Sequence, residues 1–69
     1  MKTQYVLFCL ENNRFLFVNE GSFYFYGDFT QATHFTTKEE AVEFLSKEIA
    51  NIKKEIGVHH FTTREYFSA

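Results

Sequence analysis

The chain has 69 residues, a formal net charge of −2 and a single cysteine. A chain of this length allows one domain with a marginal core, and we take residues 1–69 as that domain. The net charge argues against nucleic acid as a partner, because such binding draws its affinity from Lys and Arg, and the lone cysteine excludes an internal disulfide.

Three strands joined by two tight turns are predicted first. Side chains that are β-branched, aromatic or aliphatic mark the strands, at residues 4–10, 14–19 and 22–26. Asn12-Asn13 suits a two-residue type I′ loop, which would place Glu11 opposite Arg14. Glu20-Gly21 predicts the second turn, with the glycine supplying a positive φ. Residues 28–35 are predicted as a loop that ends in a short extended piece.

One α-helix is predicted over about residues 37–56. Its apolar stripe follows helical spacing and consists of Val42, Leu45, Ile49, Ile52 and Ile56. Thr37 with Glu40 forms a capping box at the start, and Gly57 suits the position just after the last turn.

One pattern occurs twice, as HFTTKE at residues 34–39 and as HFTTRE at residues 60–65. The first copy begins the predicted helix, and Thr62 with Glu65 repeats the capping spacing in the second. Residues 58–67 therefore have two interpretations, the start of a short helix or a fourth strand, and their Thr, Phe and Tyr content favours the strand. We interpret the repeat as structural punctuation rather than as a duplicated binding site.

These elements predict an α+β fold. It is an antiparallel β-meander of three strands, with a fourth strand at the C-terminus as the favoured interpretation of that segment, and one amphipathic helix packed across one face. We expect no signal peptide and no membrane span, because the N-terminal apolar run is short and no segment approaches the ~20 apolar residues of a span. Together with a free cysteine, this predicts a cytoplasmic protein.

The middle of the chain carries an A-x-x-F-x-T-x-E-E-A motif, formed by Ala32, Phe35, Thr37, Glu39, Glu40 and Ala41. This segment resembles one found in short uncharacterised phage, prophage and bacterial proteins, in which a small β-meander precedes a helix that opens with the motif. The resemblance implies a phage or bacterial cytosolic setting. It transfers no catalytic residue.

Strand alternation gives the predicted sheet two apolar faces. With two-residue turns, Leu10 would face Phe15 and Phe17 would face Tyr24. The aliphatic helix is expected to cover the face that carries Tyr5, Leu7, Cys9, Leu16, Val18, Phe23 and Phe25. One helix covers one face of such a sheet, so we predict that the residues of the other face bind a partner: Val6, Phe8, Leu10, Phe15, Phe17, Tyr24 and Tyr26. The alternative is that residues 27–35 and the C-terminal segment fold over that second face.

No set of residues indicates an enzyme. We expect His34, His59 and His60 to be exposed or capping histidines and Cys9 to be a core thiol. The carboxylates gather on the helix and are expected to form a solvated face. We therefore predict no catalytic residue, no metal and no cofactor.

Two functions remain from different classes. The first is a non-enzymatic protein-binding module, a homodimer that also docks and inhibits a host protein, as the resemblance to phage accessory proteins implies. The alternative is an oligomeric protein that sequesters a nucleotide-like small molecule between subunits. Stacked aromatic side chains would hold that ligand together with Arg14, Arg64 or the histidines.

Overall fold

The computed structural model describes residues 2–68 and confirms the predicted α+β fold, including the C-terminal strand. The elements in chain order are β1 (Lys2–Cys9), β2 (Arg14–Asn19), β3 (Ser22–Tyr26), a 3-10 turn (Phe29–Gln31), α1 (Lys38–Ile56) and β4 (Phe61–Ser68). The strands form one antiparallel sheet in the order β3-β2-β1-β4. The helix packs on one face of this sheet.

The second turn and its register agree with the sequence prediction. Glu20 and Gly21 have φ values of 51° and 80°, so both central residues occupy the left-handed region that a type I′ turn requires. The turn places Phe17 opposite Tyr24, as expected.

The predicted register of the first turn is wrong by two residues. Cys9 pairs with Arg14 and Phe8 with Phe15, so the loop contains four residues rather than two. The reason lies on the other side of β1. The Glu11 carboxylate accepts the backbone N–H of His60 at 2.8 Å, which ties the residue predicted to pair with Arg14 to the segment that begins β4. A shift of two residues keeps the side chains within the strands on their predicted faces, because strand side chains alternate with a period of two, but it moves Leu10 into the turn.

Residues 33–35 lie between β1 and β2, where those two strands separate. Phe35 exchanges two backbone hydrogen bonds of 2.8 Å with Tyr5 of β1. On the other side, Thr33 donates its N–H to Leu16 of β2 at 3.1 Å, and its Oγ1 accepts the N–H of Val18 at 2.8 Å. The short extended piece therefore completes the middle of the sheet, which explains why β1 and β2 pair over only two residue pairs.

The helix boundaries follow the predicted capping residues. The Thr37 hydroxyl accepts the N–H of Glu40 at 3.1 Å, and the Glu40 carboxylate accepts the N–H of Thr36 at 3.1 Å. These bonds satisfy donors that the first helical turn leaves free. At the other end Gly57 has a φ of 95°, which only glycine adopts easily. No helix in the described part of the chain has the length and apolar character to cross a membrane.

The apolar stripe of the helix differs from the prediction by a small rotation. Ile52 is fully buried and Leu45 and Ile56 pack on the core, but Val42 and Ile49 remain 45% and 43% exposed. Smaller or aromatic residues replace them in the interface, namely Ala41 and Phe44. The sequence argument followed aliphatic side chains and gave no weight to Ala41, which lets the helix approach the sheet closely.

The helix covers the predicted face of the sheet. Leu7, Leu16 and Phe23 form the buried centre, and the partly buried side chains around it are Tyr5, Val18, Phe25, Phe35 and Phe61. Cys9 is fully buried, as expected of a core thiol.

The two copies of the repeated pattern have different structures. The first copy begins the helix, and Thr37 is its N-cap. The second lies within β4, where Thr62 pairs with Phe8 of β1. The pattern therefore marks the start of a helix in its first copy and forms part of a strand in its second. The helix-start interpretation of the second copy is wrong.

Candidate functional site

The outer face of the sheet, opposite the helix, carries most of the residues that the sequence predicts for partner binding. Phe15, Phe17, Tyr24 and Tyr26 lie there on β2 and β3, in register with one another. Tyr24 is 46% exposed, and the other three are half-buried.

The other three predicted residues do not contribute accessible surface to this face. Val6 and Phe8 belong to it by alternation, but they are only 1% and 7% exposed. Leu10 lies in the first turn and is 55% exposed. The accessible part of the outer face is therefore smaller than predicted and is centred on β2 and β3.

Two side chains that the sequence prediction left out of the site lie on the outer face near Val6 and Phe8. The guanidinium carbon of Arg64 lies 3.8 Å from the centre of the Phe8 ring, in a cation–π contact. Phe29 contributes from the 3-10 turn and contacts Phe15, with the ring centres 6.3 Å apart. The alternative in which residues 27–35 fold over this face is thus realised in part, through one short turn.

Four aromatic rings form a continuous β4-side cluster on the outer face: Phe8, Phe15, Phe29 and Tyr66. Phe8 meets Phe15 edge-on at 5.1 Å between ring centres, and Phe29 meets Tyr66 edge-on at 4.6 Å. Such edge-to-face contacts are the preferred geometry of aromatic pairs. An open groove of about 390 Å³ is lined by three of these rings, those of Phe15, Phe29 and Tyr66, together with Val6 and Arg64.

The turn that carries Phe29 is fixed by its own backbone. Asp28 caps it, because its carboxylate accepts the Thr30 N–H at 2.9 Å. This hydrogen bond lowers the pKa of Asp28 from its ordinary value. Ala32, at the end of the turn, is buried. Phe29 is therefore held over the sheet while staying 41% exposed.

A separate β3-side cluster consists of Phe17, Tyr24 and Tyr26. The Phe17 ring lies 5.5 Å from that of Tyr26 and 6.1 Å from that of Tyr24. Gln31 borders a second open hollow of about 290 Å³ beside Phe17 and Tyr26. The outer face thus consists of two aromatic clusters, with the 3-10 turn between them.

Phe29, Tyr66 and His34 are the residues of this face that sequence reasoning missed. Tyr66 could have been found, because strand alternation puts it on the same side as Arg64. Phe29 gave no periodic signal, since it lies in a loop. The His34 ring lies 4.9 Å from Tyr66, and its buried Nε2 has no hydrogen-bond partner among the described residues.

A polar cluster closes the end of the sheet where β1 ends and β4 begins. The Glu11 carboxylate accepts the backbone N–H of His60 at 2.8 Å and contacts the His60 Nδ1 at 2.5 Å. The hydrogen bond from that backbone N–H and the contact with the ring lower the pKa of Glu11 to about 2. The thiol of Cys9 also donates to Glu11, over 3.4 Å.

This cluster lacks the features of a nucleophilic site. Cys9 is fully buried, and burial raises the pKa of its thiol, whereas a nucleophile needs an accessible thiolate. The histidine contacts the carboxylate and not the sulfur. The cluster therefore joins the first turn to β4 and indicates no reaction.

The three histidines occupy three separate places. His34 stacks on Tyr66, His59 lies 5.1 Å from Phe25 between ring centres, and His60 pairs with Glu11. Within residues 2–68, no group of three or more His, Cys, Asp or Glu side chains is placed to hold a metal ion.

Comparison with known protein families, with curated proteins and with solved structures finds no match to this chain. Functional inference therefore depends on the geometry of the outer face.

Proposed function

We propose that this chain is a non-enzymatic protein-binding module that self-associates and docks a second protein through the outer face of its sheet. The observation that carries the proposal is the half-exposed aromatic surface of that face. Tyr24 and Phe29 remain 46% and 41% exposed, and Phe15, Phe17 and Tyr26 lie half-buried around them.

The composition of this surface suits protein binding. Aromatic side chains are enriched at the centres of protein interfaces, and Tyr combines an apolar ring with a polar tip. Rings already packed against each other, such as Phe17 on Tyr26, lose little conformational freedom when a partner covers them. A stable interface buries about 800 Å² on each partner. That is roughly a sixth of the 4638 Å² surface of the chain, which one sheet face of this size can supply.

In the isolated protein, the expected occupant of the outer face is a second copy. A two-fold axis would bring Phe17 and Tyr24 against the same residues of the other copy. The resemblance of residues 32–41 to phage and bacterial proteins makes a bacterial host protein the expected functional partner, which this protein would bind and inhibit in the cytoplasm. In that case the homodimer is the storage form and exchanges one copy for the host protein.

The test is sedimentation equilibrium at micromolar concentration for the wild type and for Tyr24→Asp. Tyr24 is exposed on an edge strand, so the change leaves the core intact while placing a charge in the docking face. We expect the variant to lose mass relative to the wild type. Ser46→Asp adds the same charge on the exposed surface of the helix and should keep the wild-type mass. Equal masses for all three proteins would show that the outer face makes no self-contact.

A second function is favoured by one specific observation, the Arg64 groove of the β4-side cluster. Phe15, Phe29 and Tyr66 surround it above Val6, and the Arg64 guanidinium lies at its rim. Aromatic rings stack on planar bases, and a guanidinium pairs with an anionic group. The groove would therefore take a nucleotide-like molecule, which the protein would sequester.

Thermal unfolding with and without added nucleoside monophosphates separates this second function from the first. A nucleotide that binds only the folded state raises the melting temperature, and at a given concentration the rise is larger for tighter binding. We expect Arg64→Gln to abolish that rise while the rings remain in place. No shift with any nucleotide would remove the sequestering function and leave the protein-binding proposal untouched.

A further inference from the structure

The two edges of the sheet are protected to different extents. β3 is five residues long, and the N–H of Phe23 on its outer side donates to Glu55 of the helix at 3.3 Å. β4 is eight residues long and pairs with β1 in an unbroken register. Its outer edge has no proline and no bulge, and among residues 3–67 no side chain hydrogen-bonds to it. Proteins usually protect such an edge, because its free N–H and C=O groups recruit another strand.

The alternating backbone hydrogen bonds of β1 show which residues of β4 direct their N–H and C=O groups to the free edge. Leu10 donates to His60, and Tyr5 directs both of its backbone groups to Phe35, away from β4. In an antiparallel ladder, bonded and non-bonded pairs alternate. The residues of β4 that face non-bonded positions therefore direct one N–H and one C=O each to the free edge: Phe61, Thr63, Glu65 and Phe67.

We propose that two copies of the chain pair through β4, antiparallel, about a two-fold axis at Arg64. In this register Phe61 lies opposite Phe67 of the second copy, and Thr63 lies opposite Glu65 of the second copy. Each outward N–H then meets an outward C=O. The product is one continuous sheet with four strands from each copy.

Self-complementarity identifies a second copy as the occupant rather than an unrelated peptide. Phe67 is 57% exposed on the side of β4 that faces the helix, and the pairing covers it with Phe61 of the other copy. Cross-strand aromatic pairs of this kind stabilise antiparallel strands. Arg64 would lie opposite its own counterpart, but its guanidinium is turned over Phe8 of its own copy, away from the axis.

Pairing through β4 goes beyond the proposed docking function and uses a different surface. It leaves the outer face free and places the outer faces of the two copies side by side. A partner protein would therefore meet a surface twice as wide as that of a single chain.

The test is Thr63→Pro, which removes one outward N–H. Proline is tolerated at an edge where its nitrogen faces solvent, so the β1–β4 ladder stays intact. Thr63→Val is the matched control, because it keeps the N–H and the branched side chain. In sedimentation equilibrium we expect Thr63→Pro to have half the mass of the wild type and Thr63→Val to keep the wild-type mass. A folded Thr63→Pro protein with the wild-type mass would overturn the inference.

Amide hydrogen exchange on the unaltered protein makes the test independent of whether the proline variant folds. The N–H groups of Thr62 and Arg64 bond to β1 and should exchange slowly in any case. Those of Thr63 and Glu65 should exchange as slowly only if β4 is paired, and fast exchange at both would overturn the inference. If Tyr24→Asp lowers the mass while Thr63→Pro does not, the edge contact is excluded and docking through the outer face stands.

Discussion

The two faces of the sheet start from similar sequence and end in different states. Both are apolar along β2, β3 and the second half of β1, yet one is closed and the other half-open. On the helix face, Leu7 and Leu16 are each 1% exposed under a 19-residue helix. On the outer face, a three-residue turn covers only the β4 side and leaves Tyr24 46% exposed. The difference between the faces follows from the size of the element that covers each one.

The chemistry of the two faces matches their states. Full burial of aliphatic side chains such as Leu7 and Leu16 stabilises the fold, and these side chains form no hydrogen bonds with water. The outer face is dominated by Phe and Tyr, which remain useful when half-exposed because they bind other apolar surfaces. We infer that the helix face supplies most of the stability of the chain, whereas the outer face is kept for association.

Alanine substitutions on the two faces should differ most in stability. Leu16→Ala removes a fully buried side chain beneath the helix and should cost about 2–5 kcal/mol, a large part of a total stability of roughly 5–15 kcal/mol. Tyr24→Ala on the outer face should cost well under that in the monomer. Urea denaturation of both variants at low concentration measures the difference. Equal costs would contradict the assignment of stability to the helix face.

The helix cap should have an intermediate effect. Thr37→Ala removes the hydroxyl that accepts the Glu40 N–H and should destabilise the protein by ~0.5–2 kcal/mol. Thr62→Ala changes the threonine that has the same spacing to a glutamate, Glu65, in the second HFTT copy; it lies exposed in β4, so the change should cost less. The same urea titration compares them. A larger cost at Thr62 would mean that the edge strand, and not the helix cap, limits the stability of the fold.

The smallest expected effect concerns the end of the sheet, where Glu11 holds His60. The pKa of Glu11 falls from its ordinary 4.5 to about 2 in the folded protein. A carboxylate whose pKa is lowered by folding stabilises the folded protein at pH values above its ordinary pKa. That stabilisation is lost as the pH falls from about 4.5 towards about 2. Glu11→Gln cannot ionise, so its stability should change less over this range.

The measurement is the urea midpoint of both proteins at about pH 5 and about pH 2.5. Between these two pH values, the urea midpoint of the wild type should fall further than that of Glu11→Gln. Since Glu11 and His60 are largely exposed, with side-chain exposures of 43% and 73%, the difference should be small. Parallel losses in the two proteins would show that this contact contributes no pH-dependent stability.

Local chemistry made much of the fold predictable. The capping box at Thr37, the glycine at Gly57 and the Glu20-Gly21 turn each act over a few residues, and all three are found where the sequence places them. Side-chain alternation assigned the strand residues to the correct faces, although the first register was wrong by two positions and Leu10 lies in the turn.

Long-range contacts account for the errors. The Asn12-Asn13 prediction failed because Glu11 bonds to His60, a residue 49 positions later in the chain. Nothing near the turn signals that contact. Likewise, Arg64 lies over Phe8 and Phe29 contacts Phe15, and these two side chains come from a distant strand and from a loop without periodicity.

The most direct test of the central claim, that the outer face is a docking surface, is the solvent accessibility of its rings in solution. A soluble paramagnetic agent attenuates the NMR signals of exposed protons, and we would compare dilute with concentrated protein. The Tyr24 and Phe29 ring signals should be attenuated when dilute and protected when concentrated, while the exposed Ala50 methyl on the helix serves as the unchanged reference. Equal attenuation of both rings at the two concentrations, in a protein that gains mass over the same range, would contradict the claim.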